Sequence, residues 1–239
     1  KLSYPLITGI KSSIILYNTS KSNRENSIDN DIPIQYVFIS LLILLIPLFF
    51  IYYNVIHSIS IAILLTLVML IFGFLFSSVA SYMAGIVGSS NNPISGVTIA
   101  TILFSSLLLL LILGTGSVNG ASASILIGAV VCCAAAIGGD NLQDLKTGYI
   151  IGATPWKQQI MQIIGVISSA LVLGFVLDVL HTAYTIGSSA LPAPQATLMK
   201  SVAEGVFLGN LPWDMITYGG IIGIIIILID LYQKKNKST

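Results

Sequence analysis

The chain has 239 residues, 55% hydrophobic and only 8% charged, with a net charge of +1 and a mean hydropathy of +0.95. Soluble domains carry about a quarter of their residues as charges, and disordered chains are polar and charge-rich, so both classes are excluded. The near-neutral balance without basic clusters excludes a nucleic-acid partner, whereas apolar runs of about 18 residues or more indicate helices that cross a lipid bilayer.

Residues 1–33 read as the end of a preceding helix followed by a cytoplasmic loop. A half-length apolar piece, Leu6 to Tyr17, is interrupted by Gly9 and Lys11. The chain starts without Met and without a signal-peptide pattern, so one part of a longer polypeptide is expected. Residues 18–31, NTSKSNRENSIDND, form the clearest aqueous loop, and Pro33 marks a helix start. A first span is predicted over 34–53, with Pro47 as a kink, and a second over 58–80.

Residues 81–96, SYMAGIVGSSNNPISG, break the apolar pattern with three glycines, Asn91, Asn92 and Pro93. Irregular backbone at membrane depth is tolerated only where protein covers it or it lines a wet cavity. The segment is therefore expected to be an outside loop or a broken or re-entrant helix. A third span follows over 97–116 and a fourth over 120–138. The fourth is rich in Ala, Ser and Gly, which allow close helix approach and place it inside the bundle.

Residues 139–157 are predicted as a polar connection, with Thr154 as N-cap and Pro155 as first helical residue of a fifth span over 158–180. A short amphipathic helix over 194–208, a sixth span over 215–232 and a basic tail over 233–239 complete the chain. The fold class is all-α: a polytopic transmembrane helical bundle over 34–232, with about six spanning helices. Numbering the connections alternately puts 18–31, 81–96, 139–157 and the C-terminus on one side. That side holds Lys11, Lys21, Arg24, Lys146, Lys157, Lys234, Lys235 and Lys237; the other holds Lys200, with Lys1 left uncounted. By the positive-inside rule the first side is cytoplasmic, in a multi-pass protein of the cell membrane.

The polar residues with chemical potential are few. Asp140 and Asp144 share a helix face at i and i+4, beside Gln143 and Thr147. Two like charges there need a cation, a proton or a basic partner. They are candidates for proton coupling or gating, together with Lys146; a helix cap in water is the plainer reading. Lys146 and Lys157 either pair with these aspartates or follow the charge rule. Asn91, Asn92 and Ser95 are candidate substrate-binding residues, because a broken helix frees backbone groups for a ligand. Gln158, Gln159 and Gln162 are further substrate candidates, with helix–helix bonding as the equal alternative.

Asp178 lies one turn before His181 near a helix end, Lys200 and Glu204 form an i,i+4 pair, and Asp214 and Asp230 flank the last span. None is assigned a catalytic role. The intramembrane aspartyl protease pattern GxGD fails, because Ile137 stands where its first Gly belongs. His57 and His181 both sit at helix ends, and GxxxxGK[ST] is absent, so neither a rhomboid-like site nor ATP hydrolysis is indicated. Adjacent Cys132 and Cys133 give no disulfide framework and no zinc spacing. An enzyme, a cofactor and a metal ligand set are not expected.

The stretch Gly138 to Gln159, GGDNLQDLKTGYIIGATPWKQQ, resembles the signature of the oligopeptide transporter family over twenty-two residues. Asp31-Ile32-Pro33, GSSNNPISGVTIAT at 88–101, LPAPQATLM at 191–199 and GNLPWDM at 209–215 resemble family stretches in the same order, most like the prokaryotic branch. The resemblance implies a proton-coupled secondary carrier for small peptides; yellow-stripe-like relatives carry metal chelates instead. It also implies a longer protein, of which this chain is a later-middle to C-terminal part, with the remaining helices of the same transporter as partners. A channel-like or structural membrane subunit is the alternative from another class.

Overall fold

The computed structural model describes residues 31–236, so the expected apolar piece 6–17, nearly all of the loop 18–31 and residues 237–239 lie outside the described residues. Among the described residues there are seven α-helices and no strand. They are α1 (Ile34–Ile56), α2 (Ile59–Val87), α3 (Ile94–Leu113), α4 (Val118–Ile151), α5 (Pro155–Tyr184), α6 (Pro194–Leu208) and α7 (Trp213–Asn236). All but α6 are long and apolar enough to cross a membrane. The chain is an all-α polytopic bundle.

Two helices run further than the hydropathy boundaries, and the reason is the same for both. Polarity does not end a helix; backbone geometry does. Helix α2 continues through Ser81–Val87 and stops where Gly88 takes φ 86, a left-handed value that favours glycine. The break expected over 81–96 is thereby confined to 88–93, a single 3₁₀ turn at Ser89–Asn91 followed by Pro93. Helix α4 continues through the polar residues 139–151, so the expected connection 139–157 shrinks to the turn 152–154. Gly152 ends it at φ 75: its N–H and that of Ala153 close back on the carbonyls of Tyr149 and Gly148. Helix α5 starts at Pro155 behind Thr154, as expected, although the Thr154 side chain makes no capping bond.

Helix α4 is the axis of the bundle. Its buried residues, among them Ala121, Ser124, Gly128, Val131, Ala135 and Gly139, recur every three or four positions. A methyl at Gly128 would overlap the side chain of Ile102 on α3. One at Gly120 would meet the Phe207 ring of α6 at 2.5 Å. Small residues let the helices approach where lipid offers no hydrophobic drive for packing. Buried hydroxyls on these helices donate to the carbonyl one turn back, as Thr66 does to Ala62, Thr101 to Val97 and Ser124 to Gly120.

Helices α2 and α4 run parallel, with α3 antiparallel between the α2–α3 break and the α3–α4 turn. This follows from the pairings Ser77–Gly138, Gly85–Leu142 and Ile102–Gly128. The amphipathic helix α6 has the bounds expected for it. It is docked by Ala203, Val206 and Phe207, and the Phe207 carbonyl accepts from Gly116 N–H in the α3–α4 turn. By contrast, none of the described residues of α5 or α7 is buried, and in α1 only Tyr52 is. Between their polar ends these helices are largely apolar on every face, the pattern of helices surrounded by lipid or by other membrane helices.

Candidate functional site

At about 1.5 Å per residue the 34 residues of α4 span about 51 Å, against about 30 Å of hydrocarbon in a bilayer. The last part of α4 therefore extends past the span that its apolar first part makes. Three elements meet on it: the end of α2, the α2–α3 break and the start of α5, which in turn holds the residues before α1.

The break is held directly by α4. Gln143 Oε1 accepts from Ser89 N–H at 3.0 Å. Asn92 packs its amide nitrogen on Gly139, close enough that a methyl there would overlap it. A methyl at Gly138 would meet Ser77 Oγ at 2.5 Å and Ser81 Oγ at 2.9 Å. The two consecutive glycines of the Gly-Gly-Asp triplet thus serve as contact surfaces for polar groups of α2 and of the break. The Asn92 Oδ1 atom is buried and accepts no hydrogen bond from the described residues, and the same is true of Asn141 Oδ1 on α4. Asn91 donates to Val87 O at 3.3 Å, closing the last turn of α2, while Ser95 is exposed in the first turn of α3. Because the N–H groups of a helix's first turn have no intrahelical partner, the α3 start adds donors beside the Asn92 acceptor.

The three glutamines of α5 each engage another part of the chain. Gln162 donates to Asp144 Oδ2 at 2.9 Å, tying α5 to α4. Gln158 lies against Gly148, where a methyl would overlap its amide, and donates to Ala153 O at 3.4 Å. Gln159 accepts from Ile32 N–H at 3.3 Å and donates to Asp31 Oδ1 at 3.4 Å, holding the segment that leads into α1. Asp140 and Asp144 are both exposed. Lys146 lies 5.2 Å from the centre of the Tyr149 ring and Lys157 5.8 Å from that of Trp156, so each lysine rests on an aromatic residue of its own helix.

The structure therefore gathers Asn92, Gln143, Asp144, Gln158, Gln159 and Gln162 around one end of α4. It leaves Asp140, Ser95 and Lys146 on the surface of that region. Sequence reasoning gave Gln143 no role, and the backbone bond to Ser89 has no sequence signal, since the partners lie 54 positions apart. Gly138 and Gly139 were also missed as contact points; two adjacent glycines inside a helix, where each costs about 1 kcal/mol against Ala, were the available signal. Among the described residues no group of three or more His, Cys, Asp or Glu forms a metal-holding cluster.

Comparison with known proteins agrees with this motif. A protein of Haemophilus influenzae named "Putative oligopeptide transporter" is 39% identical over 197 residues, covering 74% of this chain and 31% of that protein. A Saccharomyces cerevisiae protein carrying the same description is 28% identical over 142 residues, covering 59% of this chain and 19% of its own length. The chain thus spans less than a third of either relative. No solved structure matches significantly. The family described as "OPT oligopeptide transporter protein" matches residues 2–239, and the chain belongs to that family of membrane transporters.

Proposed function

We infer that the chain is part of a secondary active transporter that carries small oligopeptides across the cell membrane and couples their uptake to protons. The observation that carries the reading is the non-helical turn 88–93 between antiparallel α2 and α3, clamped to α4 through Gln143 and Gly139. Such a turn leaves backbone and amide groups outside any helical ladder, where they can meet a substrate. In this reading Asn91, Asn92 and Ser95 meet the peptide. The Asn92 carbonyl accepts a peptide N–H, and the N–H groups at the α3 start face a carbonyl or the terminal carboxylate.

Asp144, paired with Gln162 across the α4–α5 junction, serves as the proton-responsive gate. A protonated carboxyl loses the charge that strengthens the Gln162 bond, which loosens α5 from α4. Asp140 and Lys146 modulate the field around it, while Gln158 and Gln159 hold the start of α5 and the approach to α1. The lysine bias puts this end in the cytoplasm.

Uptake into proteoliposomes by the complete transporter, with and without an inward proton gradient, tests the reading. Tri- to hexapeptides accumulate and the lumen acidifies with them. Absence of both sinks the peptide–proton reading, and accumulation of a metal chelate in place of peptides replaces it with chelate transport.

A further inference from the structure

A second cavity lies at the opposite end of α4. It encloses about 250 Å³ between the start of α4 and the outer face of α6. Ser117, Ala121, Ser122 and Phe207 line it, and Lys200 and Glu204 stand at its rim. Along α4 its centre is about 20 residues, hence about 30 Å, from the Gly139–Asp144 region. It is not part of the site described above.

The chemistry of this cavity is that of a receptor for a zwitterion. Lys200 Nζ and Glu204 Oε1 are 3.7 Å apart, at 65% and 47% side-chain exposure. An exposed pair of this kind contributes little stability, so a ligand that separates the two charges loses little by doing so. A ligand carrying both an ammonium and a carboxylate or phosphate replaces the single bond with two. Its cation meets Glu204; its anion meets Lys200 beside the positive end of α4, where Ser117 Oγ already accepts from Gly120 N–H. The Ala121 and Phe207 walls accept a small apolar group beneath. Lys200 is also the lone lysine that the charge distribution leaves on this side of the membrane, so a solubilising role in a basic surface does not account for it.

We propose that the α4–α6 cavity, with Lys200 and Glu204 at its mouth, binds a small zwitterion whose ammonium and anion both reach this pair, on the side opposite the α2–α3 break. Resting on the peptide reading above, the ligand is a dipeptide, short enough for both of its charged ends to reach the pair, captured before it reaches the break. A phosphatidylethanolamine headgroup presents the same pair of charges and is separated from it by the experiment.

The test uses the complete transporter in nanodiscs made with and without phosphatidylethanolamine. Calorimetry measures binding of Ala-Phe, its N-acetyl form and its C-terminal amide to wild type, Lys200→Gln and Glu204→Gln. Wild-type protein binds free Ala-Phe best. Lys200→Gln lowers that affinity about tenfold and has no effect on the amide; Glu204→Gln lowers it similarly and has no effect on the acetylated form. If wild type binds peptide and both variants bind every peptide equally well, the cavity assignment is overturned while the transport reading stands. If wild type binds no dipeptide yet phosphatidylethanolamine raises its unfolding temperature through the same two residues, the occupant is the lipid headgroup and the peptide occupant is wrong, while the uptake assay with tri- to hexapeptides decides the transport reading. If neither ligand acts through Lys200 and Glu204, the proposal is wrong.

Discussion

Replacing Gly139 by alanine adds one methyl at the point where the break leans on α4, and its effects divide in a way that tests the site. The added carbon overlaps the Asn92 amide nitrogen and lies 3.4 Å from Ala84 Cβ. Ala84 belongs to the α2 backbone packing and cannot yield, so the Asn92 amide must rotate away. An off-rotamer side chain costs about 0.5–1.5 kcal/mol, while alanine gains up to about 1 kcal/mol over glycine in a helix interior. The two nearly cancel, and the folded state changes by less than about 1 kcal/mol. Substrate binding does not share that cancellation. Losing one neutral hydrogen bond from Asn92 Oδ1 to the peptide costs about 0.5–1.5 kcal/mol, which is about two- to twelvefold in affinity. Peptide KM in proteoliposomes, read beside the unfolding temperature in detergent, makes the comparison. Gly165→Ala on α5 is the control, because nothing lies within 4 Å of a methyl there. If Gly139→Ala leaves KM where Gly165→Ala leaves it, Asn92 is not a substrate contact.

Asn92→Ala removes the acceptor outright and is expected to weaken peptide binding by a comparable factor with wild-type expression; equal loss of both in a binding and expression assay counts against the site. Asp144→Asn is expected to flatten the pH dependence of uptake while the protein still folds and inserts, and an unaltered pH profile rules Asp144 out as the coupling group. Gly128→Ala forces a methyl into the fully buried Ile102 side chain and is expected to lower stability by about 1–3 kcal/mol in thermal unfolding, partly offset by helix propensity. Paired with Ile102→Ala, the loss is expected to be less than the sum of the two single losses, and strict additivity refutes the packing argument.

Much of the architecture was legible because its causes are local. Apolar length located the helices, Pro155 and Pro194 located two helix starts, and the small residues of 120–138 identified the helix at the centre. The two boundary differences arose where hydropathy was read as geometry. Residues 140–147 are polar but contain no residue that stops a helix, so α4 passes through them until Gly152 turns the chain. At the site, residue types were legible and pairings were not. Asp140 and Asp144 read as equals in the sequence, yet only Asp144 is placed against Gln162. Gln158, Gln159 and Gln162 read as one polar patch. They in fact point to three partners: Gly148, Asp31 with Ile32, and Asp144. Such assignments depend on the rotation of α5 about its own axis, which the tertiary packing sets.

The position of the signature on α4 also limits what it can do. A connection in water could change shape freely, whereas residues inside one unbroken helix move together. Gln143 and Gly139 hold the α2–α3 break, and Asp144, next to Gln143, and Gly148, about one turn further on, hold α5. A shift or rotation of α4 by a fraction of a turn therefore disturbs both contacts at once. Each is a single hydrogen bond or close approach worth about 0.5–1.5 kcal/mol, small enough to exchange during a transport cycle. Both surfaces on α4 have a glycine at the point of closest approach, which leaves little bulk there to resist sliding. The arrangement suits a helix that transmits movement between the break, where we propose that substrate binds, and a neighbouring helix, and it accounts for a polar sequence on a helix otherwise built to cross lipid.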